Sequence, residues 1–498
     1  MRNAAKLSLA ALLLLPLLTT PANAQYFGRN KVQYEDFHFK TLRTEHFDIY
    51  YYDREADVVN DVGRMAERWY FRFSKTFNHT FIRKPIVLYA NAADFHQTTT
   101  TGGLIGEGTG GFTDQFMNRV VLPLTGTYAE NDHVLGHEIV HVFQYDMAAK
   151  ATQQRRRFNL EQLPLWLVEG MAEYFSKGRV DPLTSMWIRD ATINDRLPDL
   201  KKLSRDPRYF PYRYGQALLA YMGGRFGDET VVRYFIAAGT IGIEAAFDRA
   251  VGISAKQLFA DWQESARELY NPVIQVRANP QQPLIGKKPI PGKKGEKKRS
   301  SELNVGPALS PDGRTVAFLS SRELFDIDLF LADAKTGQAI RHLVSSDRDA
   351  HFESLRFIES GGAFSPDGNR LAFITFARGD NLLSIIDVNT RALENIKVPD
   401  LDAINNVAWS PDGESIAISG QITGVSDLFV YNLTSKIVRQ LTNDKYADLQ
   451  PAWSPDGRTI AFVTDRGAGP GIEQLRYDQM GIFGSPPATL IVAMPIWS

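Results

Sequence analysis

The sequence contains no cysteine. That excludes disulfides and every thiolate metal site, so a metal here must be held by His, Asp or Glu. Neither sign of charge is in excess: 56 Lys and Arg stand against 57 Asp and Glu, a net charge of −1. No global field therefore draws the chain to nucleic acid or to an anionic membrane. Past the first two dozen residues no apolar run is long enough to span a bilayer, which takes about 20 residues. The glycine-rich stretch from Gly102 to Gly111 lacks a following Lys-Ser/Thr, so it matches no phosphate-binding loop. It reads instead as a mobile loop.

What is present is an ordinary globular composition, 44% apolar and 23% charged. At 498 residues the chain is too long for one core, and two domains are expected. Arg2 and Lys6 precede an apolar run from Leu7 to Leu18, followed by Ala22-Asn23-Ala24. This is the pattern of a secretory signal spanning 1–24, cleaved before Gln25. The mature chain is then expected outside the cytoplasm, periplasmic or extracellular, with no transmembrane segment. Residues 25–276 mix helical and strand periodicity. Residues 277–303 carry Lys287, Lys288, Lys293, Lys294, Lys297 and Lys298 with Pro289 and Pro291, which reads as a solvated basic linker.

From 304 onward the chain repeats. Ser-Pro-Asp-Gly recurs at Ser310, Ser365, Ser410 and Ser454, at intervals of 55, 45 and 44 residues. Each copy lies between two short apolar runs. Pro presets φ and Gly accepts positive φ, so each is a turn between strands. A period near 44 with about four strands per unit predicts β-propeller blades. The units resemble TolB-like propeller repeats, a resemblance over 304–498 that implies the fold and a surface for protein partners. Pro495-Ile496-Trp497-Ser498 repeats the lead-in Pro451-Ala452-Trp453-Ser454, so a further turn is expected next and the propeller reads as truncated.

The chemistry-bearing segment is His137-Glu138-Ile139-Val140-His141. On a helix the two histidines lie one turn apart on one face, where both imidazoles can reach one ion. Glu138 sits about 100° around from His137 and can reach a water on the open side of that ion. Asn131 or Asp132 is the expected N-cap. A second helical segment, Leu165 to Phe175, holds Glu169 and Glu173 among apolar residues. Buried acids are normally paired or bound to metal. Met117 to Leu124 reads as a strand. Tyr209, Tyr212 and Tyr214 precede a helix expected from Gln216, and read chiefly as aromatic packing. His133 reads as a surface or capping residue, and His46, His79 and His96 have no recognisable partners.

The segment Trp166-x-x-Glu169-Gly170-x-Ala172-x-Tyr174 resembles the second motif of gluzincin peptidases. That resemblance, loose over 35–275, implies an α+β zincin-like domain with one Zn²⁺ held by His137, His141 and Glu169. It implies Glu138 as general base, Glu173 orienting a histidine, and the 117–124 strand as an edge that pairs with extended peptide. The 27 residues between His141 and Glu169 make a longer gap than in the aminopeptidase branch, with Arg155 to Arg157 read as an inserted loop. The expected function is thus an exported zinc metallopeptidase acting on peptides or proteins, its propeller engaging partners or restricting access. The alternatives are an inactive envelope scaffold and a zinc amidase acting on cell-wall peptides.

Overall fold

The computed structural model describes residues 33–102, 105–106, 108–154, 158–276, 285, 304–320, 328–344, 354–355, 362–466, 481–485 and 492–494. The expected signal sequence, Arg155 to Arg157 and all of the linker except Ile285 lie outside them, as does part of the glycine-rich loop. No helix among the described residues is long and apolar enough to cross a membrane.

The N-terminal part is a mixed sheet covered by helices. Its strands are β1 (Lys40–Arg43), β2 (Phe47–Tyr51), β3 (Lys84–Tyr89), β4 (Phe112–Asp114) and β5 (Arg119–Pro123), in the order β1-β2-β3-β5-β4. The helices are α1 (Val59–Phe77), α2 (Ala92–His96), α3 (Tyr128–Gln153), α4 (Leu165–Lys177), α5 (Pro182–Ile193), α6 (Leu200–Arg205), α7 (Pro211–Phe226), α8 (Asp228–Ile241), α9 (Ile243–Val251) and α10 (Ala255–Val276).

Local sequence explains most of these boundaries. In α1, Ala66, Trp69, Tyr70, Phe73 and Phe77 recur at helical spacing and are buried. The helix stops at Asn78, whose left-handed φ of 47° suits a short polar side chain. Helix α3 begins earlier than Asn131. Its N-cap is Thr127, whose hydroxyl accepts from Glu130 N. Asn131 lies inside the first turn and uses its side chain to accept from Thr125 N at 2.8 Å. Helix α7 likewise starts at Pro211 rather than near Gln216, because proline is favoured at the first helical position.

The 117–124 segment is a strand but not an edge. It pairs in parallel with β3, and β4 covers its other side. Pro123 is tolerated because Leu124 N continues the ladder to Tyr89 O at 2.8 Å. Successive N–H groups point to opposite sides, so the missing one at Pro123 faces β4, whose pairing has already ended at Val121. On this side of the sheet the edge strand is β4.

Helices α4 and α7 meet backbone to backbone at Gly170 and Gly215. A Cβ on Gly170 would lie 2.5 Å from Gly215 Cα, and one on Gly215 would lie 2.1 Å from Trp166 O. Both obstacles are backbone and cannot swing away. Gly215→Ala is therefore expected to lower stability by about 1–3 kcal/mol, through forced separation of the helices. Chemical denaturation of the two proteins checks this; an unchanged midpoint would show that the helices part freely.

Among the described residues, the C-terminal part forms four antiparallel sheets in sequence. The third is the most regular: Ala403–Trp409, Ser415–Ile422, Val425–Asn432 and Val438–Gln440 pair in chain order. In the second, the inner position is in two pieces, Ser354–Leu355 and Ala363–Phe364, within the longer 55-residue interval between turns. Each Ser-Pro-Asp-Gly turn folds alike. The serine hydroxyl donates to the aspartate, as in Ser310 to Asp312 at 2.6 Å, and the glycine φ is positive at Gly313, Gly368, Gly413 and Gly457. The repeat is thus a self-contained hydrogen-bonded unit, which is why it is legible in sequence.

Candidate metal centre

Helix α3 is buried on every side from Val134 to Gln144, so its polar residues there must find partners inside the protein. His137 and His141 turn toward α4, where Glu169 meets them. His137 Nε2, His141 Nε2 and Glu169 Oε2 are each 3.2 Å from the other two. Donor atoms about 2.1 Å from a tetrahedral ion would stand ~3.4 Å apart. The three therefore fit the donor set of one zinc ion without rearrangement.

The other nitrogen of each imidazole is occupied. His137 Nδ1 lies 3.1 Å from Glu173 Oε1, and His141 Nδ1 lies 2.8 Å from Gln144 Oε1. Both contacts place a proton on Nδ1, so that in the neutral ring Nε2 is the nitrogen able to ligate. Gln144 is itself anchored, donating to Val168 O at 3.0 Å. Glu138 points to β4: Thr113 Oγ1 donates to its Oε2 at 2.7 Å. Tyr212 stacks on His137 with ring centroids 5.9 Å apart, and burial together with the nearby Glu169 charge pushes its hydroxyl up. Tyr145 stacks on His141.

A second group, His133, His137 and Glu173, also brings three donors together. Its acid is already engaged: Arg213 Nη1 sits 2.9 Å from Glu173 Oε2 and 3.4 Å from Asp181. A guanidinium there repels a second cation, so the first group is the better metal site. His133 is no surface cap. It is half-buried, with Nε2 3.3 Å from Glu173.

Tyr209 and Tyr214 pack edge to face at 5.2 Å, away from the centre. Of the three tyrosines, Tyr212 alone stacks on a ligand histidine. His46 and His79 do have partners, Glu67 at 2.7 Å and Asp146 at 2.8 Å. His96 packs on Phe376 of the second blade. Sequence reasoning missed Gln144, Thr113 and Arg213. Gln144 had a signal, lying three residues after His141 on the same helical face; Thr113 and Arg213 had none.

Electrostatics tie the cluster together. Burial alone would lower the His137 imidazolium, but its hydrogen bonds with Glu169 and Glu173 outweigh this and push it up to about 10. His141 is raised too, with Glu169 overcoming burial. Burial would raise Glu169, but the His141 charge and the bonds to both histidines hold it well below the carboxylate range. Only neutral imidazole ligates a metal, so binding must expel a proton held at neutral pH. Zinc affinity is expected to rise about tenfold per pH unit for each proton displaced, between roughly pH 6 and 8. Zinc titrations across that range check it; a pH-independent dissociation constant would contradict the proton release.

Comparison with known proteins speaks to the C-terminal part. Residues 356–482 match the family model described as TolB beta propeller domain. Residues 356–482 are thus a TolB-like β-propeller domain. The chain is 38% identical over 72 residues to the Tol-Pal system protein TolB of Helicobacter hepaticus, covering 14% of this chain and 17% of that protein. It is 30% identical over 117 residues to the protein TolB homolog of Chlorobium luteolum, covering 24% and 26%. The chain thus spans about a quarter or less of these curated relatives. Among solved structures, TolB from Acinetobacter baumannii aligns with a TM-score of 0.32 and 22% identity, covering 39% of this chain and 44% of that one. The family match lies wholly outside α3, α4 and α7.

Proposed function

We propose that this chain is an exported zinc-dependent metallopeptidase whose propeller serves as a protein-interaction module. One observation carries the reading: three donor atoms stand 3.2 Å apart with both imidazoles tethered through Nδ1. Beside them lies a carboxylate, Glu138, that belongs to no ligand group.

His137, His141 and Glu169 would hold the ion. When bound, it lowers the pKa of a water toward about 7 and polarises a substrate carbonyl. Glu138 accepts the proton lost by the attacking water and delivers it to the amide nitrogen as the C–N bond breaks. The Thr113 hydroxyl fixes one oxygen of Glu138, which restricts its swing. The Tyr212 hydroxyl would donate to the oxyanion that forms on the carbonyl oxygen. The outer edge of β4 offers backbone groups to an extended peptide.

Two other readings share these residues. The propeller match favours a scaffold that binds envelope proteins, since the relatives it brings are TolB proteins. A zinc amidase for cell-wall peptides would use the same centre. Purified protein should contain one zinc and cleave members of a mixed peptide set, with Glu138→Ala as the inactive control. Stoichiometric zinc without cleavage of peptides or muropeptides would leave the scaffold; cleavage of muropeptides alone would leave the amidase.

A further inference from the structure

We infer that the propeller is part of the framework of the metal centre, and that Gln421 and Ser426 are positioning residues for helix α3. The inference rests on the metal-site reading for its catalytic consequence and on direct contacts for everything else.

Two successive blades reach the N-terminal part with the same device. The hairpin joining Arg370–Ala377 to Asp380–Asp387 turns at Arg378 and Gly379, with φ of 54° and 78°. The hairpin joining Ser415–Ile422 to Val425–Asn432 turns at Thr423 and Gly424, with φ of 49° and 81°. Two central residues at positive φ make the tightest hairpin loop, so each tip is narrow and stiff. Gly379 abuts Tyr34 and Gln97, and Gly424 abuts the Leu124 side chain.

The second hairpin takes over the ends of two adjacent strands. Gln421 is 2% exposed. Its Nε2 donates to Ala90 O at 2.7 Å and to Leu124 O at 3.3 Å, the carbonyls that follow β3 and β5. Ser426 N donates to Gly126 O at 3.1 Å. Buried carbonyls left without donors are costly, so these bonds define where residues 124–126 lie. There is no spare room: a Cβ on Gly126 would lie 2.1 Å from Ser426 Oγ.

That strap leads straight into the metal helix. Thr125 N and Oγ1 both donate to Asn131 Oδ1, at 2.8 and 3.0 Å, and Thr127 caps α3. Leu124 packs in the same core as Val134, Leu135 and Ile139. His137 is ten residues beyond Thr127, about 15 Å along a rigid helix. A donor triad with 3.2 Å separations tolerates little displacement of that helix. Contacts within one chain of this polar kind release more readily than a packed core. A protein that binds the hairpin face of the propeller must compete with this seat and would thereby loosen the centre; one that binds the Ser-Pro-Asp-Gly face need not.

The test uses the full chain and two variants that lie wholly in the propeller. Gln421→Glu sets an anionic acceptor against two carbonyls, and Gly424→Val drives bulk into Leu124. Hydrogen exchange should rise at 422–426 and, by tenfold or more, at 128–137, while α8 to α10 stay protected. With Co²⁺ as probe, the dissociation constant should rise at least tenfold and the visible absorption of the bound ion should change. Faster exchange at 422–426 with wild-type exchange at 128–137 and wild-type Co²⁺ affinity would overturn the inference. So would unchanged exchange at 422–426 in both variants, since the contact would then hold nothing. A wild-type chain that binds metal but cleaves no peptide sinks the peptidase reading alone, and the exchange data still decide this one.

Discussion

Glu138→Gln is expected to reduce peptide hydrolysis by about 10²–10⁴-fold while zinc content stays at the wild-type level. The substitution keeps the volume of the side chain and its contact with Thr113, which now 2.7 Å away donates to a carboxylate oxygen. It removes only the ability to take a proton from water. Glu138 is 4% exposed and lies on α3 between the two histidines, yet it joins neither group of metal-competent donors. Zinc analysis beside a peptide assay separates the outcomes. Loss of zinc with loss of activity would make Glu138 a ligand, and full activity would remove it from the mechanism.

Glu169→Ala is expected to weaken zinc binding by more than the ~10–100-fold typical of removing an outer partner of a ligand. It takes away one of three donors and the negative charge nearest both Nε2 atoms. Glu173→Ala supplies the comparison. It leaves three donors in place but frees His137 Nδ1 and leaves Arg213 with Asp181 as its carboxylate partner. Its effect should fall within that ~10–100-fold range. Equilibrium zinc titration of both proteins ranks them. If Glu173→Ala were the more damaging, the ion would belong to the group of His133, His137 and Glu173 instead.

These two predictions differ in how far the sequence reached them. The i, i+4 spacing of His137 and His141 places them on one helical face whatever surrounds the helix. Glu169 and Glu173 were marked by being acids within an apolar stretch, but spacing left both as contenders for the ion. What separates them is Arg213, which arrives from α7 only because Gly170 and Gly215 let the two helices touch. Tyr212 shows the same limit. Three tyrosines near the start of α7 are equivalent in sequence, and Pro211 starting the helix early sets which one faces His137.

The propeller repeats were legible because each turn closes its own hydrogen bonds within six residues, from Ser310 to Thr315 in the first copy. Strand order was not. Met117 to Leu124 has a strand pattern wherever it sits in a sheet, and its place between β3 and β4 depends on partners distant in the chain. The seat of the propeller is the extreme case. Gln421 bonds to residues 331 and 297 positions away, and nothing around it in the sequence marks a polar residue destined for burial.

Local periodicity and turn chemistry thus decided the paired histidines, the neighbouring carboxylate and the blades, since those depend on residues a few positions apart. Tertiary packing decided which acid stands with the two Nε2 atoms, what holds each imidazole, which strand lies beyond β5 and what the propeller hairpins touch. Each of those is a contact between elements far apart in the chain, and such contacts exist only once the core has closed.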